Sequence, residues 1–416
     1  MKSVLYLVVT TIIIAACESP VEKQPDPQPI RDLTAAEKQI VEAGQDFSFK
    51  LFQKVNESDP LNNVFISPLS VSMAFGMALN GANGQTYSDM RSTLGFESLD
   101  NNAINTSYQS LIDLLHSADE QVKFEIANSI WYEKTFAVEQ LFLQTNQNYF
   151  DAEVAGMDFS DPVTVDVINN WISEKTNNKI NKMISQLSRE TVLALINAIY
   201  FKASWKYEFD PDETTDDQFT TYANEQVACK MMQLGGEFNY YRDDDVQILD
   251  LPYGNSNFSM TILQPAYGKD INQFISTLDN SRWQSYLSQM EPDSGNLQMP
   301  KFKLSYKSAS EALILNSILS DLGMGIAFSP SSADFSRINP LIQIFISMVL
   351  HKTFIQVDEE GTEAAAATVI LFERTTAGEN TKFFMRLDRP FVFVIRETNT
   401  KAILFTGKLN EPVWQE

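Results

Sequence analysis

The sequence predicts an α+β protein organised as one domain around a large mixed β-sheet. Helical patterns dominate the first half of the chain, whereas β patterns dominate the second half and recur at hairpin-like spacing instead of alternating with helices. From about Thr34 onward no second Pro-rich linker, internal repeat or block of like charge marks a boundary. Residues 36–416 therefore read as one unit, although a prior of roughly 150 residues per domain would allow two or three.

The elements follow in order. Residues 35–54 place Ile40, Phe47, Leu51 and Phe52 near helical spacing. Ser67-Pro68 reads as a helix cap and first turn ahead of an apolar helical pattern that reaches Leu79. Residues 164–184 predict a helix that frays at Asn177-Asn178. From about residue 192 the character changes: VLALINAIYF is a continuous apolar run, suited to a strand buried on both faces. Strand patterns then recur in VQILDLPY, FSMTILQP, LQMPKFKLSY, LIQIFISMVLHKTFIQVD, RPFVFVIRE and AILFTGKL. One more helix is expected between Ser310 and Leu322, stopped by Gly323.

Composition removes several functions. The chain has 416 residues, with 54 Asp and Glu against 31 Lys and Arg, a net charge of −23. Such a surface repels phosphate backbones, so no nucleic-acid partner is expected. His116 and His351 are the only histidines, and neither HExxH nor CxxC occurs. No metal site and no cofactor are expected on that basis. There is no GxSxG elbow for a serine hydrolase, and the chain is not expected to be an enzyme. Of the two cysteines, Cys17 is assigned below to lipid; Cys229 is then alone and reads as a small buried hydrophobe, with no disulfide available.

Residues 1–17, MKSVLYLVVTTIIIAAC, join a Lys, an apolar run from Val4 to Ile14, two alanines and Cys17. Charged, apolar and small-residue regions in that order form a secretory signal, and the run is too short to span a bilayer as a mature helix. The ending Ile14-Ala15-Ala16-Cys17 resembles a bacterial lipobox, in which the cysteine is acylated. Residues 18–35 carry Pro20, Pro25, Pro27 and Pro29 in a polar stretch and read as an extended tether. The expectation is a lipid-anchored domain in a bacterial cell envelope, periplasmic or exposed at the surface, and monomeric.

Residues 358–382, DEEGTEAAAATVILFERTTAGENTK, lie between two strong β patterns and far exceed an ordinary connection. Read with a strand's period of two, Thr362, Ala364, Ala366, Thr368, Ile370 and Phe372 form a face without charge. The opposite face has Glu363 and Glu373 at its ends. An exposed loop written with a buriable face could join a sheet, and its small leading residues suit entry between strands. On composition alone an Ala-rich helical linker fits as well.

EEGTEAAAATV resembles the proximal hinge of the inhibitory serpins, nearly position for position. NVFISPLSVSMAF, INNWISEKTNNKI, NAIYFKASWKYEF, LPYGNSNFSMTILQP, MPKFKL, LHKTFIQVDEEGTE and RPFVFVIRETNTKAILFTGKLNEP resemble that family's segments in the family's order. The resemblance covers roughly residues 36–415. It implies the serpin fold: helices packed around a large mixed main sheet plus smaller sheets, with an exposed reactive-centre loop at about 359–382. It implies a suicide inhibitor of serine proteases, with cysteine proteases as a further target class. The protease cleaves the loop and is acylated, and the freed loop end inserts into the main sheet, leaving a covalent complex.

Residue by residue, the resemblance implies a hinge of Glu360, Gly361, Thr362, Glu363, Ala364, Ala365, Ala366, Ala367 and Thr368. Counting from Gly361 puts the reactive bond at Thr375–Thr376, or at Arg374–Thr375 in a register one residue shorter. The first would suit elastase-like or subtilisin-like proteases, the second trypsin-like ones. Ser67, Ser70, Asn197 and His351 match the hydrogen-bonded shutter beneath the opening sheet, and Trp205 matches the breach where the loop first enters. Phe391 and the RPF segment match the strand anchoring the loop's far end. Ala203, where many members have Gly, and Gln264, at a commonly apolar position, are mild departures; the hinge shows none. The competing reading is a non-inhibitory serpin-fold lipoprotein that acts as a surface binding module.

Overall fold

The computed structural model describes residues 31–188, 190–306, 313–347, 349–362 and 382–414. The leader with Cys17, most of the tether, the hinge beyond Thr362 (Glu363, Ala364, Ala365, Ala366, Ala367 and Thr368) and the reactive-bond residues Arg374, Thr375 and Thr376 lie outside the described residues.

Helices come first, as the patterns predict. Helix α1 (Ala35–Ser58) starts at a capping box: Glu37 N–H donates to Thr34 Oγ1, and Glu37 Oε2 accepts from Thr34 N–H at 2.7 Å. After β1 (Val64–Ile66), helix α2 (Pro68–Leu79) has Ser67 as its cap, with Pro68 at the first turn where no N–H is needed. Helices α3 (Gly84–Leu94) and α4 (Asn101–Ser117) precede strand β2 (Val122–Glu133). Helix α5 (Gln140–Phe150), strand β3 (Glu153–Met157) and helix α6 (Val163–Lys175) follow. The fray lies where the sequence puts it: Asn177 and Asn178 both take the left-handed backbone that asparagine tolerates.

Strands then take over. They are β4 (Leu193–Ser204), β5 (Thr215–Thr220), β6 (Gln226–Arg242), β7 (Val246–Tyr253) and β8 (Phe258–Pro265). Helices α7 (Ile271–Ser276) and α8 (Asn280–Gln289) interrupt them. LQMPKFKLSY divides at Lys301 into β9 (Glu291–Pro300) and β10 (Phe302–Tyr306), which join different sheets. The expected helix at 310–322 forms in its second part: β11 (Leu313–Ile314) precedes it, helix begins at α9 (Asn316–Leu319), and a wider helical turn, Ser320–Met324, continues it. Gly323 does break the following turn, at φ 120°. Last come β12 (Leu350–His351), β13 (Thr353–Val357), β14 (Gly361–Thr362), β15 (Phe383–Arg386), β16 (Phe391–Glu397) and β17 (Ile403–Leu409).

One sheet has nine strands, ordered β1-β17-β16-β8-β7-β6-β9-β15 with β5 on β6. The other has six, ordered β10-β13-β14-β4-β2-β3. Helix α2 packs against both β4 and β17, so it lies between the sheets. Rings tie the two sheets together: Phe201 of β4 meets Phe258 of β8 at 5.7 Å and Phe405 of β17 at 6.4 Å. A satellite cluster under α6, with Trp171, Ile168 and Ile172 against Trp131 and Ile196, covers the other face of the six-stranded sheet. The expected α+β architecture with one large mixed sheet and smaller ones is what forms.

Two strand expectations are corrected. LIQIFISMVL does not continue β13 backwards; among the described residues it is strand only at Leu350. Among the described residues its backbone meets a strand only at its end, where Leu350 pairs with Ile314, and side chains hold much of the rest. Asn339 Oδ1 accepts from Leu341 and Ile342 N–H at 2.8 and 2.9 Å, and Asn316 Oδ1 accepts from Val349 N–H at 2.8 Å. For the same reason β4 is not buried on both faces throughout: Leu193, Ala194 and Leu195 stay half-buried because they line an open cleft.

Candidate functional site

The site is built where β13 turns back into β14. Asp358, Glu359, Glu360 and Gly361 form the turn. Asp358 N–H donates to Gly361 O at 3.0 Å, while Asp358 Oδ1 accepts from the Glu360 and Gly361 N–H groups at 3.2 and 3.3 Å. The returning residues enter the six-stranded sheet between two strands. Gly361 pairs with Ser204 and Thr362 with Ala203 on one side, and Thr362 pairs with Val357 on the other. This is the upper end of a cleft, since β4 and β13 share no pairing of their own among the described residues.

Gly361 is dictated by close approach. A Cβ there would lie 2.1 Å from Ala203 O and 2.7 Å from Ser204 Cα, backbone atoms that cannot swing aside. Gly361→Ala should therefore unseat β14 and lower stability by about 1–3 kcal/mol. Urea unfolding checks this, and an unchanged midpoint would mean that residue 361 does not sit against β4.

Trp205 holds the turn from below. Its indole N–H donates to Asp358 O at 2.9 Å, its backbone N–H donates to Glu360 O at 2.9 Å, and its ring stacks on Tyr253 at 4.4 Å. Tyr253 in turn shares a hydrogen bond of 2.5 Å with Thr362 Oγ1, and both side chains are buried. Burial pushes the Tyr253 phenol well above its usual range, so it stays a neutral partner. Glu359 is buried among partners: Oε2 meets Lys301 Nζ at 2.6 Å and Oε1 accepts from Thr214 Oγ1 at 2.8 Å. Burial alone would raise its pKa, but the Lys301 and Thr214 hydrogen bonds outweigh it and the carboxyl ends below its ordinary range. Glu208 nearby is raised, by burial and then by the charge of Glu360.

The lower end of the cleft carries the predicted shutter residues. Ser67 Oγ donates to Leu404 O at 2.7 Å and accepts from Ser70 N–H at 3.2 Å, the cap that starts α2. Ser67 N–H donates to His351 Nε2 at 3.0 Å, fixing β12 to the start of α2, and Thr353 Oγ1 donates to Phe65 O at 2.6 Å. Burial holds the His351 imidazole down at about 4, so it is neutral with Nε2 as the acceptor. Asn197 stands apart from this trio: its amide donates to Asn128 Oδ1 at 2.7 Å, and Asn128 donates to Phe150 O at 2.7 Å. Asn197 Oδ1 is buried and accepts no hydrogen bond. Ser70, Asn197 and His351 line one cavity of about 580 Å³ between α2, β4 and the segment leading into β12, mostly walled by apolar side chains such as Phe75, Ile196 and Ile344.

Ser67 and His351 cannot serve as a nucleophile and base, because the serine hydroxyl donates to a carbonyl and the imidazole accepts from a backbone N–H. Among the described residues no group of three or more His, Cys, Asp or Glu side chains converges as metal ligands would. Cys229 is half-buried rather than buried, and burial followed by Asp217 pushes its thiol up to about 11, away from the nucleophilic form.

The far end of the loop is anchored differently from expectation. Phe391 lies in β16, which is paired on both sides within the nine-stranded sheet. The strand that receives the chain after residue 381 is β15, an edge strand parallel to β9. Phe383 stacks on Tyr240 at 3.8 Å over Gly295, where a Cβ would come within 2.3 Å of the ring. Four residues of such an edge strand produce too short a pattern to compete with RPFVFVIRE. Lys301, Thr214, Tyr253 and Asn128 also escaped the sequence reading, since each acts through a partner distant along the chain.

A family model described as "Serpin (serine protease inhibitor)" matches residues 42–412. Leukocyte elastase inhibitor from Xenopus laevis is 35% identical over 379 residues, covering 88% of this chain and 97% of that protein. An uncharacterized serpin-like protein from Methanosarcina acetivorans is 34% identical, covering 91% of this chain and 87% of its own length. The native-state crystal structure of the thermophilic serpin tengpin superposes with a TM-score of 0.82 at 31% identity, covering 93% of this chain and 97% of that one. Human thyroxine-binding globulin superposes equally well, at 0.82 and 26% identity, covering 91% and 100%. One fold therefore serves more than one role among these neighbours.

Proposed function

The chain belongs to the serpin family of serine protease inhibitors, and from that premise we propose that it traps serine-type endopeptidases by inserting its cleaved loop into the six-stranded sheet. The observation that carries this reading is the register at the top of the cleft. Thr362 already lies opposite Ala203 and Val357. A regular antiparallel extension by six residues brings Thr368 (362 + 6) level with Asn197 (203 − 6) and His351 (357 − 6). Residues of even number then share the inward side of Thr362. Thr368 would deliver a hydroxyl to the unpartnered Asn197 Oδ1, while alanines 364 and 366 pass the shoulders of the cleft. The cavity is room kept for that strand. Insertion would supply hydrogen bonds and apolar burial that the uncleaved protein lacks, which is the drive needed to drag an acylated protease before it deacylates.

The reactive bond is Thr375–Thr376 in this reading, with Arg374–Thr375 as the shorter register. Acylation of Cys17 and a Pro-rich tether would hold the inhibitor at a bacterial envelope, where proteases from outside the cell are the natural targets. The domain without its leader should be incubated separately with trypsin, pancreatic elastase and subtilisin, and the products resolved on denaturing gels with the cleaved bond mapped by mass spectrometry. A band at the summed mass, stable in SDS, with cleavage after residue 374 or 375 is the expected result. Loop cleavage without such a band across the panel would instead favour a binding module that the proteases merely nick.

A further inference from the structure

The segment after β17 runs alongside the six-stranded sheet and ends, among the described residues, on the hinge's ion pair. Asn63 brackets its start: Oδ1 accepts from the N–H groups of Asn410 and Glu411 at 2.6 and 2.9 Å, and Nδ2 donates to Glu411 O at 2.8 Å. Two residues on, Val413 O accepts from Lys303 N–H at 2.8 Å, which fixes the segment to the first residues of β10. The next residue, Trp414, lays its ring over Lys301 with Nζ 4.7 Å from the centroid. Lys301 is the residue whose ammonium holds Glu359 at 2.6 Å, in the turn immediately before Gly361.

We propose that Trp414 is a positioning residue for the hinge, shielding the Lys301–Glu359 ion pair so that the turn at 358–361 stays seated until the loop is cut. An exposed pair of this kind contributes little, because water and salt screen it. This pair is not exposed: the side chains retain only 20% and 10% of their accessible surface. An indole face over the ammonium attracts the cation through the ring quadrupole and removes water from one side of it. Trp414 itself keeps 38% of its surface, and the Lys303–Val413 backbone bond delivers its ring to Lys301. The same carboxylate is held by Thr214 on its other oxygen, and Glu359 O accepts from Phe209 N–H at 3.0 Å. The hinge turn is thus tied to the 205–214 segment directly and to the 410–414 segment through Lys301. Release of the turn would be slower, and more resistant to salt, than the Lys301–Glu359 pair alone would make it.

The inference rests on the reading that this turn is an inhibitory hinge, but its test does not depend on inhibition. Amide hydrogen exchange of peptides covering residues 358–362 should be followed in the full chain, in its Trp414→Ala and Trp414→Phe forms, and in each form carrying Lys301→Gln. Trp414→Ala should speed exchange there several-fold, and more so as NaCl rises from 0.05 to 0.5 M, whereas Trp414→Phe should stay within about twofold. In the Lys301→Gln background, Trp414→Ala should add nothing. Unchanged exchange in Trp414→Ala, or a full increase that persists without Lys301, would overturn the proposal. Covalent complex formation by the unaltered chain, measured in parallel, reports on the inhibitor reading separately.

Discussion

Thr362→Arg should abolish complex formation and turn the chain into a substrate that proteases cut at the reactive bond and release. Thr362 keeps only 2% of its surface, and its hydroxyl shares the 2.5 Å hydrogen bond with Tyr253. The inward side at this level is occupied by the Tyr253 and Trp205 rings, stacked with 13° between their planes, which leaves no exit to water for a guanidinium. Burying an unpaired charge costs several kcal/mol, and about 3 kcal/mol spent at the first step of insertion slows that step by roughly two orders of magnitude. In the proposed mechanism trapping is a race between insertion and deacylation, so a delay of that size would transfer nearly all acyl-enzyme to release. The measurement is stoichiometry on denaturing gels: cleaved loop should accumulate while the SDS-stable band vanishes. Thr362→Ser, which keeps the hydroxyl, should still trap. Equal complex yields from Thr362→Arg and the unaltered chain would sink the insertion reading.

The elements legible in the sequence were those whose signal is local. Ser67-Pro68 announced α2, and Asn177-Asn178 ended α6. Gly361 and Trp205, taken from the resemblance, sit together at the top of the cleft. What was not legible depends on partners far along the chain. Continuous hydrophobicity in LIQIFISMVL predicts a strand, but a strand needs a neighbour, and here the neighbouring position is the cleft. Its backbone turns instead to Asn316 and Asn339, leaving Leu341 exposed. Lys301 looks like any surface lysine until Glu359 and Trp414 are placed beside it. Asn197 resembles a member of the Ser67–His351 group, yet it bonds across to Asn128, because a polar group facing an unfilled cavity takes the partner on its own sheet.

Acid should weaken this protein through His351, with a consequence for the cleft itself. The imidazole is held near 4 by burial, against an ordinary value near 6.5 in the unfolded chain. Between those values the unfolded state binds the additional proton, so stability rises with pH across the window. The contribution is complete above pH 6.5 and disappears progressively as pH falls toward 4. That lowering corresponds to about 3 kcal/mol. Protonation also converts Nε2 from acceptor to donor, which breaks the bond from Ser67 N–H and places two donors face to face between β12 and α2. Other carboxylates titrate in the same range, so the informative quantity is a difference between two proteins. His351→Gln keeps an acceptor for Ser67 N–H but does not titrate. Urea unfolding of both from pH 7 to pH 4 should show the unaltered chain losing stability faster by about 3 kcal/mol over the window. Parallel profiles would show that His351 is not the group responsible. If the profiles diverge, the unaltered chain held at pH 4.5 and returned to pH 7 should also lose trapping activity, because a cleft unlocked at its lower end can accept an uncleaved loop. His351→Gln should keep that activity.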